Sequence, residues 1–247
     1  MRLPRAFVKI DLMPDDSIEL PGDTAAHIVK VLRARAGDGL VLFNGNGAEH
    51  LGVIESIRGS RVRVSVGEAR AIDRESPLHV ILVQSIPRGD RMDFVIQKAT
   101  ELGVSRIVPV LSARSVVRLD ERQSESKVQH WRGVAISACE QCGRNRVPDI
   151  DAPLQLIDYL GCESGAPVRL LLDPESTSAA PVNATGKSIE VTVGPEGGFS
   201  PQELAAMRIA GLKGIRLGPR ILRTETAALV ALTWLQTRHG DMNPNAT

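Results

Sequence analysis

The chain has 247 residues, of which 43% are hydrophobic and 24% charged, with 22 glycines and 15 prolines. These proportions are typical of a globular protein and exclude disordered, collagen-like and coiled-coil chains. The formal net charge of +1 indicates no partner, and an aromatic content of 3% argues against a protein that stacks successive bases on aromatic rings.

The sequence contains no predicted membrane or export segment. The uncharged stretch Thr226–Thr237 is too short to cross a bilayer, and Met1–Asp16 is charged and lacks the apolar centre of a signal peptide. Three cysteines are too few for a disulfide scaffold. We therefore expect a cytoplasmic protein with reduced thiols and no membrane association.

The first 75 residues alternate short apolar segments with glycine and asparagine turns, which predicts a small β-barrel around one helix. The expected elements are a strand over 7–12, a helix over 27–33 after Asp23-Thr24, and strands over 40–43, 51–57 and 61–66. The charged segment Ile72–Pro77 is a plausible linker. This predicts one domain over residues 1–72 and a second over 77–247.

From Leu78 onward, buried strands alternate with helices, which predicts a mostly parallel sheet with helices on its faces. The expected strands are 78–84, 105–110, 168–172, 189–193 and 215–217. The expected helices are 90–102, 124–141, 201–210 and 224–239.

A glycine-rich loop follows the predicted strand 189–193 and reads GPEGGFSPQE from Gly194 to Glu203. Ser200 suits a helix N-cap, with Glu203 completing a capping box. The glycines let the backbone approach a ligand closely beside a helix N-terminus. The alternative is a tight turn without a ligand, and the missing Lys-Ser/Thr pair excludes a phosphate-binding P-loop.

A second Gly-Pro loop follows the predicted strand 215–217 and reads LGPRILRTETA from Leu217 to Ala227. Two such loops at the carboxyl ends of strands would form one crevice, the usual ligand site of an open α/β sheet. The alternative is an exposed loop with an arginine–glutamate pair that contributes little to stability.

These two motifs resemble those of the 16S ribosomal RNA uracil-N3 methyltransferases, the small-subunit methyltransferase E family of the SPOUT superfamily. The similarity covers nearly the whole chain, because further matching segments follow in the family's order: His27 with 31–33, 97–104, 140–144 and 147–148. The resemblance implies a SPOUT-type α/β methyltransferase domain with a trefoil knot, preceded by a PUA-like, RNA-binding β-barrel.

The resemblance also implies S-adenosylmethionine as the cofactor, held mainly by the backbone of three loops. The residues it implies for the cofactor site are Leu171, Leu172, Gly194, Pro195, Glu196, Gly197, Leu217, Gly218, Ile221, Leu222 and Thr226. No metal is expected, because Cys139 and Cys142 lie in a predicted helix without a second cysteine pair.

The implied reaction is methylation of N3 of a uridine in 16S rRNA near the decoding region. It requires removal of the imide proton, and Glu225 and Glu196 are the available carboxylates. Glu225 in the first turn of a helix also suits a purely structural role. Arg223 is placed to hold the anionic uracil or a phosphate.

The expected partners are 16S rRNA, within the small ribosomal subunit or a late assembly particle, and a second copy of the chain. The arginines expected to contact RNA are Arg2, Arg5, Arg33, Arg88, Arg91, Arg114 and Arg144. The apolar circumference of the helix from Thr226 predicts a second covering surface, supplied either by the same domain or by another subunit. The family resemblance implies a two-fold homodimer with this helix at the interface, in which Arg114 or Arg144 completes a site in the other subunit. The competing hypotheses are a non-catalytic RNA-binding assembly factor and an enzyme that uses another adenine nucleotide.

Overall fold

The computed structural model describes residues 3–30, 33–115, 117, 119–162, 164–177 and 188–243. The chain forms two compact units, the first comprising Met1–Glu75 with Ile136–Val147, and the second Ser76–Ala135 with Pro148–Thr247. Within the described residues, every helix is too short or too polar to span a membrane.

Unit 1 is built on a five-stranded sheet with the strand order β1-β3-β4-β5-β2. Its elements are β1 (Arg5–Phe7), β2 (Ser17–Glu19), α1 (Gly22–Lys30), β3 (Gly39–Phe43), β4 (Ala48–Arg58) and β5 (Arg61–Ala71). Along β5, Val62 and Val64 are buried whereas Arg61 and Arg63 are exposed, as the period of two in a strand requires.

Two local expectations in unit 1 are corrected. The helix begins at Gly22 and not at residue 27, because the amide of Ala25 already donates to the carbonyl of Pro21 at 2.8 Å. The first strand lies at Arg5–Phe7, earlier than the expected 7–12. The strand β2 was not among the expected elements, because its three residues are too few to show a pattern in the sequence.

Unit 2 contains a seven-stranded parallel sheet with the order β12-β10-β11-β6-β7-β8, and β9 also pairs with β7. Its strands are β6 (His79–Ser85), β7 (Arg106–Leu111), β8 (Asp149–Ile150), β9 (Leu154–Gln155), β10 (Val168–Leu172), β11 (Ser188–Val193) and β12 (Lys213–Ile215). The remaining helices of the chain are α2 (Arg91–Glu101), α3 (Glu121–Cys142), α4 (Leu156–Leu160), α5 (Pro201–Ile209) and α6 (Thr224–His239).

Both faces of this sheet are covered, as its continuous apolar strands require. Helix α6 packs against α2, β6 and β11, whereas α4 packs against α5 and β7. Alternation is therefore absent in β6, whose residues 80–85 are all buried.

The strands β10, β11 and β12 create a reversal of strand order in the sheet. The chain passes from β10 to β11 on one side and later places β12 on the other side of β10. Because all three strands are parallel, the loops that follow them emerge at one edge. Such reversals form the ligand-binding crevice of open α/β sheets.

Candidate functional site

The three segments predicted to bind the cofactor lie together at this edge. Leu171 and Leu172 end β10, the loop from Gly194 follows β11, and the loop containing Leu217–Leu222 follows β12. Register fixes their proximity, since Leu171 pairs with Thr192 and Leu172 pairs with Ile215. The predicted strand at 215–217 ends at Ile215, so Leu217 belongs to the loop.

The loop after β11 is closely packed. A Cβ atom added at Gly194 would lie 3.0 Å from the ring of Phe199, a residue that is itself buried. Gly198 adopts a φ of +67°, and its amide donates to the carbonyl of Pro195 at 2.9 Å, closing a turn. The Gly194 carbonyl accepts a hydrogen bond from Thr224 at 2.6 Å. The loop is therefore fixed before any ligand binds.

The start of α5 has the predicted capping box. The Ser200 hydroxyl accepts from the amide of Glu203 at 3.2 Å, and the Glu203 carboxylate accepts from the amide of Ser200 at 2.8 Å. The second carboxylate oxygen of Glu203 accepts from the amide of Ala113 at 2.7 Å. The residue thus anchors the loop after β7 as well as its own helix.

The loop after β12 is open by comparison. Ile221 is 86% exposed, although it is a large apolar residue, and Leu217 and Leu222 are half-buried. Gly218 has a φ of +80°, a conformation that glycine adopts readily. Across the part of the chain that the structure describes, the backbone amides of residues 217, 218 and 220–222 donate to no protein acceptor. Apolar side chains with unused backbone donors suit an adenosine-bearing ligand.

Arg91 of α2 lies between the two candidate catalytic carboxylates. Its Nη1 is 2.5 Å from Oε1 of Glu196, and its Nε is 3.8 Å from Oε1 of Glu225. Partial burial opposes ionisation of Glu196, but hydrogen bonds from backbone amides and from Arg91 hold its pKa below the usual value. Oε2 of Glu225 is buried without a hydrogen-bond partner in the described structure.

The predicted RNA-contacting arginines occupy different environments. Arg2 lies outside the described residues, whereas Arg33 and Arg88 are exposed and Arg91 pairs with Glu196. Arg114 is exposed and donates to the carbonyl of Gly197 of the same chain at 2.9 Å, and its expected role in the other subunit stays a prediction.

Arg5 and Arg144 occupy nearly buried positions, and their expected contact with RNA stays a prediction. Their side chains are 4% and 7% exposed, and both are engaged inside unit 1. Arg5 donates to Glu49 at 2.7 Å, and Arg144 donates to Glu75 at 2.6 Å. Because their donors serve internal acceptors, these side chains offer little surface to a phosphate in either subunit.

Two residues of the site were missed at the level of sequence. Gln84 ends the apolar run of β6, and its side-chain amide donates to Thr224 Oγ1 at 2.9 Å. The available signal was a glutamine inside a strand that is otherwise fully apolar. The partners of Thr224 lie 30 and 140 residues away, so its position within the Arg223–Thr226 motif did not reveal them.

Cys139 is buried, and burial raises the pKa of its thiol to about 12. Within the described ranges, no group of three or more His, Cys, Asp or Glu residues is arranged to hold a metal ion.

Comparison with known proteins identifies the family. Residues 74–236 match the RNA methyltransferase domain, and residues 20–67 match the RNA methyltransferase PUA domain. A ribosomal RNA small subunit methyltransferase E of Buchnera aphidicola is 33% identical over 97% of this chain and 95% of its own length. The Bacillus subtilis protein of the same name is 34% identical over 88% of each chain. The chain belongs to the ribosomal RNA small subunit methyltransferase E family.

Solved structures agree with this family assignment. A small subunit methyltransferase E from Neisseria gonorrhoeae, bound to S-adenosylmethionine, has a TM-score of 0.92 and 36% identity, covering 98% of this chain and 100% of its own. A methyltransferase from Legionella pneumophila with bound S-adenosylmethionine has a TM-score of 0.94 at the same identity, and it covers the same shares. The predicted resemblance, fold class and enzyme class are confirmed.

Proposed function

We propose that this protein transfers the methyl group of S-adenosylmethionine to N3 of a uridine in 16S rRNA near the decoding region. The observation that carries the proposal is the convergence of three loops at the carboxyl edge of β12, β10 and β11. Two of them have the Gly-Pro sequences of a methyltransferase family. A protein that only binds RNA has no need for such an edge.

The residues at this edge fit S-adenosylmethionine, whose sulfonium centre supplies the methyl group. Backbone amides of the loop after β12 would donate to the cofactor, and Leu172, Leu217 and Leu222 would enclose its apolar parts. Gly197 has no side chain, and a Cβ atom added there would lie 3.4 Å from Cβ of Arg114. The neighbouring backbone therefore stays accessible to the cofactor.

Of the two carboxylates, Glu225 is the better acceptor for the N3 proton. Glu196 is held in the charged form by two donors and is therefore a weak base. Glu225 is 14% exposed and keeps Oε2 unpartnered. N3 lies on the Watson–Crick edge, so the uridine must leave its stack before Glu225 can reach the proton.

Arg223 would stabilise the negative charge that develops on the uracil oxygens. It is exposed at the N-terminus of α6, and in the described part of the chain no carboxylate lies in ion-pair contact with it. A planar guanidinium can donate two parallel hydrogen bonds to an anionic base or a phosphate.

Unit 1 would bind the rRNA, since part of it matches a PUA domain of RNA methyltransferases. Exposed arginines of both units would contact the phosphate backbone, among them Arg33 and Arg88. The substrate would be the small subunit or a late assembly particle. The first domain would end near residue 72, and the second would begin near residue 77. Residues 136–147 would belong to the first domain, because they form one compact unit with it.

A second copy of the chain would cover the outer side of α6. Its inner side buries Ala228, Ala231, Leu232 and Leu235, whereas Val230 is 39% exposed and Trp234 is half-buried. Phe94 of the adjacent helix α2 is 45% exposed. Sedimentation equilibrium at low micromolar concentration should give twice 26.6 kDa, and an active species of 26.6 kDa would contradict the dimer.

The decisive experiment measures methyl transfer from labelled S-adenosylmethionine to small ribosomal subunits that lack the modification, followed by mass spectrometry of the nucleosides. We expect 3-methyluridine at one position, and we expect Glu225→Gln to lower the rate about 100-fold. S-adenosylmethionine binding without transfer to small subunits or assembly particles would favour a non-catalytic factor. Binding of another adenine nucleotide instead would reject the cofactor assignment.

A further inference from the structure

A short chain of buried hydrogen bonds links three elements beneath the proposed cofactor edge. The Gln84 side-chain amide donates to the carbonyl of Ser85 at 2.8 Å and to the hydroxyl of Thr224 at 2.9 Å. The Thr224 hydroxyl in turn donates to the carbonyl of Gly194 at 2.6 Å. The chain therefore joins the end of β6, the first residue of α6 and the first residue of the glycine-rich loop.

The direction of these hydrogen bonds is fixed by chemistry. A threonine hydroxyl has one proton, and here that proton is directed to the Gly194 carbonyl, so its second contact must be as an acceptor. Only the nitrogen of the Gln84 amide can supply that donor. Because Gln84 is 0% exposed and Thr224 is 5% exposed, water does not readily replace either partner.

The arrangement spans the two loops that the proposed cofactor requires. Gly194 opens the loop after β11, and Thr224 follows directly on the loop after β12. Gln84 pairs with Val193 in the sheet, which places its side chain beside both loops. Both contacts of the Thr224 hydroxyl are made inside this chain, whereas Oε1 of Gln84 has no partner in the described structure. Loss of either contact would leave a further buried polar group unpaired, so the two hydrogen bonds of Thr224 favour a single relative position of the loops.

Resting on the proposed function, we propose that Thr224, oriented by Gln84, is a positioning residue for S-adenosylmethionine. Its hydroxyl would hold the Gly194 carbonyl so that the glycine-rich loop and the loop after β12 are aligned before the cofactor arrives. Alignment before binding removes an ordering cost from the affinity. Thr224 need not touch the cofactor to have this effect.

The test replaces Thr224 by valine, which has nearly the same shape and no hydroxyl. We expect Thr224→Val to raise the dissociation constant of S-adenosylmethionine at least about tenfold in calorimetric titration. Thr224→Ser keeps the hydroxyl and should bind within about threefold of the parent protein. Thr233→Val is the matched control, because that exposed hydroxyl of the same helix bonds only to the Leu229 carbonyl at 2.8 Å.

A second readout is independent of the cofactor. In the ligand-free protein, hydrogen exchange in the peptide that contains Gly194–Gly198 should be faster in Thr224→Val than in Thr224→Ser or Thr233→Val. If Thr224→Val does not fold, Gln84→Met removes the donor to the same hydroxyl and should show the same two changes in smaller degree.

The outcomes separate this inference from the proposed function. Unchanged affinity and unchanged loop exchange in folded Thr224→Val would overturn the positioning role and leave the proposed function intact. If only Gln84→Met folds, unchanged affinity and unchanged loop exchange in that variant would also overturn the positioning role. A parent protein that does not bind S-adenosylmethionine would overturn both.

Discussion

Two clusters of arginines and carboxylates occupy different environments in this protein. The inner cluster lies in unit 1 and consists of Arg5, Glu49, Arg74, Glu75 and Arg144. The edge cluster lies in unit 2 at the carboxyl edge of the sheet and consists of Arg91, Glu196, Arg223 and Glu225. Their residue types are the same, so composition does not distinguish them.

The charged groups of the inner cluster form ion pairs with one another. Glu49 accepts from Arg5 at 2.7 Å and from Arg74 at 3.0 Å, and only 6% of its side chain is exposed. Burial by itself would raise the pKa of Glu49, but the hydrogen bonds from Arg5 and Arg74 outweigh it and lower the pKa. The cluster therefore contributes to the stability of unit 1.

In the edge cluster, some charged groups remain available to a ligand. The Arg91–Glu196 pair is 42% and 36% exposed, and Glu225 keeps one oxygen unpartnered in the described structure. Arg223 is exposed, and within the described residues no carboxylate forms an ion pair with it. Surface pairs of this kind add little stability. The two clusters therefore differ in exposure: Arg5, Glu49 and Arg144 of the inner cluster are nearly buried, whereas Arg91 and Glu196 of the edge cluster remain accessible to a ligand.

The largest effect should come from the inner cluster. We expect Glu49→Gln to lower the free energy of unfolding by about 3 kcal/mol at neutral pH, because Arg5 would keep a buried charge without its partner. Since the folded pKa of Glu49 is lowered, its stabilisation is present above the unfolded pKa and is lost as the pH falls through the folded pKa. Urea unfolding from pH 7 to pH 3 should therefore show a weaker acid dependence in the variant.

The control for this experiment is Glu68→Gln, which changes an exposed carboxylate of β5. Its free energy of unfolding should stay within about 0.5 kcal/mol of the parent value. Equal stability of the two variants would show that the inner cluster is not structural.

The next effect concerns chemistry at the edge cluster. We expect Arg223→Ala to lower the methyl-transfer rate about 100-fold, with S-adenosylmethionine affinity nearly unchanged, because the lost donor acts on charge that develops only during reaction. Single-turnover rates and calorimetric titration separate the two quantities. Arg220→Ala, an exposed arginine of the same loop, is the matched variant, and equal losses in both would remove the specific role of Arg223.

A smaller effect is expected on the cofactor alone. Gly197→Val should weaken S-adenosylmethionine binding about tenfold. A Cβ atom added at Gly197 would lie 3.4 Å from Cβ of Arg114, and the two methyl groups of valine would have to enter the space lined by the loop backbone. Gly133→Val in α3 meets no atom within 4 Å and serves as the control. A folded Gly197→Val protein with unchanged affinity would place the cofactor elsewhere.

The smallest expected effect distinguishes the roles of Glu196 and Glu225 in the edge cluster. Because the pKa of Glu196 is lowered by its donors, we expect Glu196→Gln to change the methyl-transfer rate by less than about threefold, far less than the change predicted for Glu225→Gln. The measurement is the single-turnover rate of both variants at neutral pH. A larger loss in Glu196→Gln would reverse their assigned roles.

The parts of this structure that were predictable from sequence are those with local causes. The capping box at Ser200 and Glu203 needs only four neighbouring residues, and the strand Val168–Leu172 shows its apolar run directly. The order of strands in the sheet was not predictable, because it depends on pairings between distant segments. The short elements β8, β9 and α4 have too few residues for a periodic pattern.

The environments of individual arginines were likewise not predictable from the sequence. Arg5 and Arg88 look alike in sequence, yet Arg5 is buried by contacts with residues 44 and 140 positions away, whereas Arg88 remains exposed. The Gly-Pro motifs combine a local signal with a family resemblance, whereas each arginine offers only its residue type, so the sequence specifies the expected cofactor segments in more detail than the expected RNA contacts.

The participation of Ile136–Val147 in unit 1 has a consequence for how the protein is made. Asn145, which accepts from Arg5 at 2.5 Å, and the Arg144 carbonyl, which accepts from it at 3.1 Å, are synthesised long after β1–β5. In a nascent chain of 75 residues, Arg5 therefore lacks two of the acceptors that it has in the complete protein. Unit 1 becomes complete only once α3 has left the ribosome, so its folding during translation should finish in two steps.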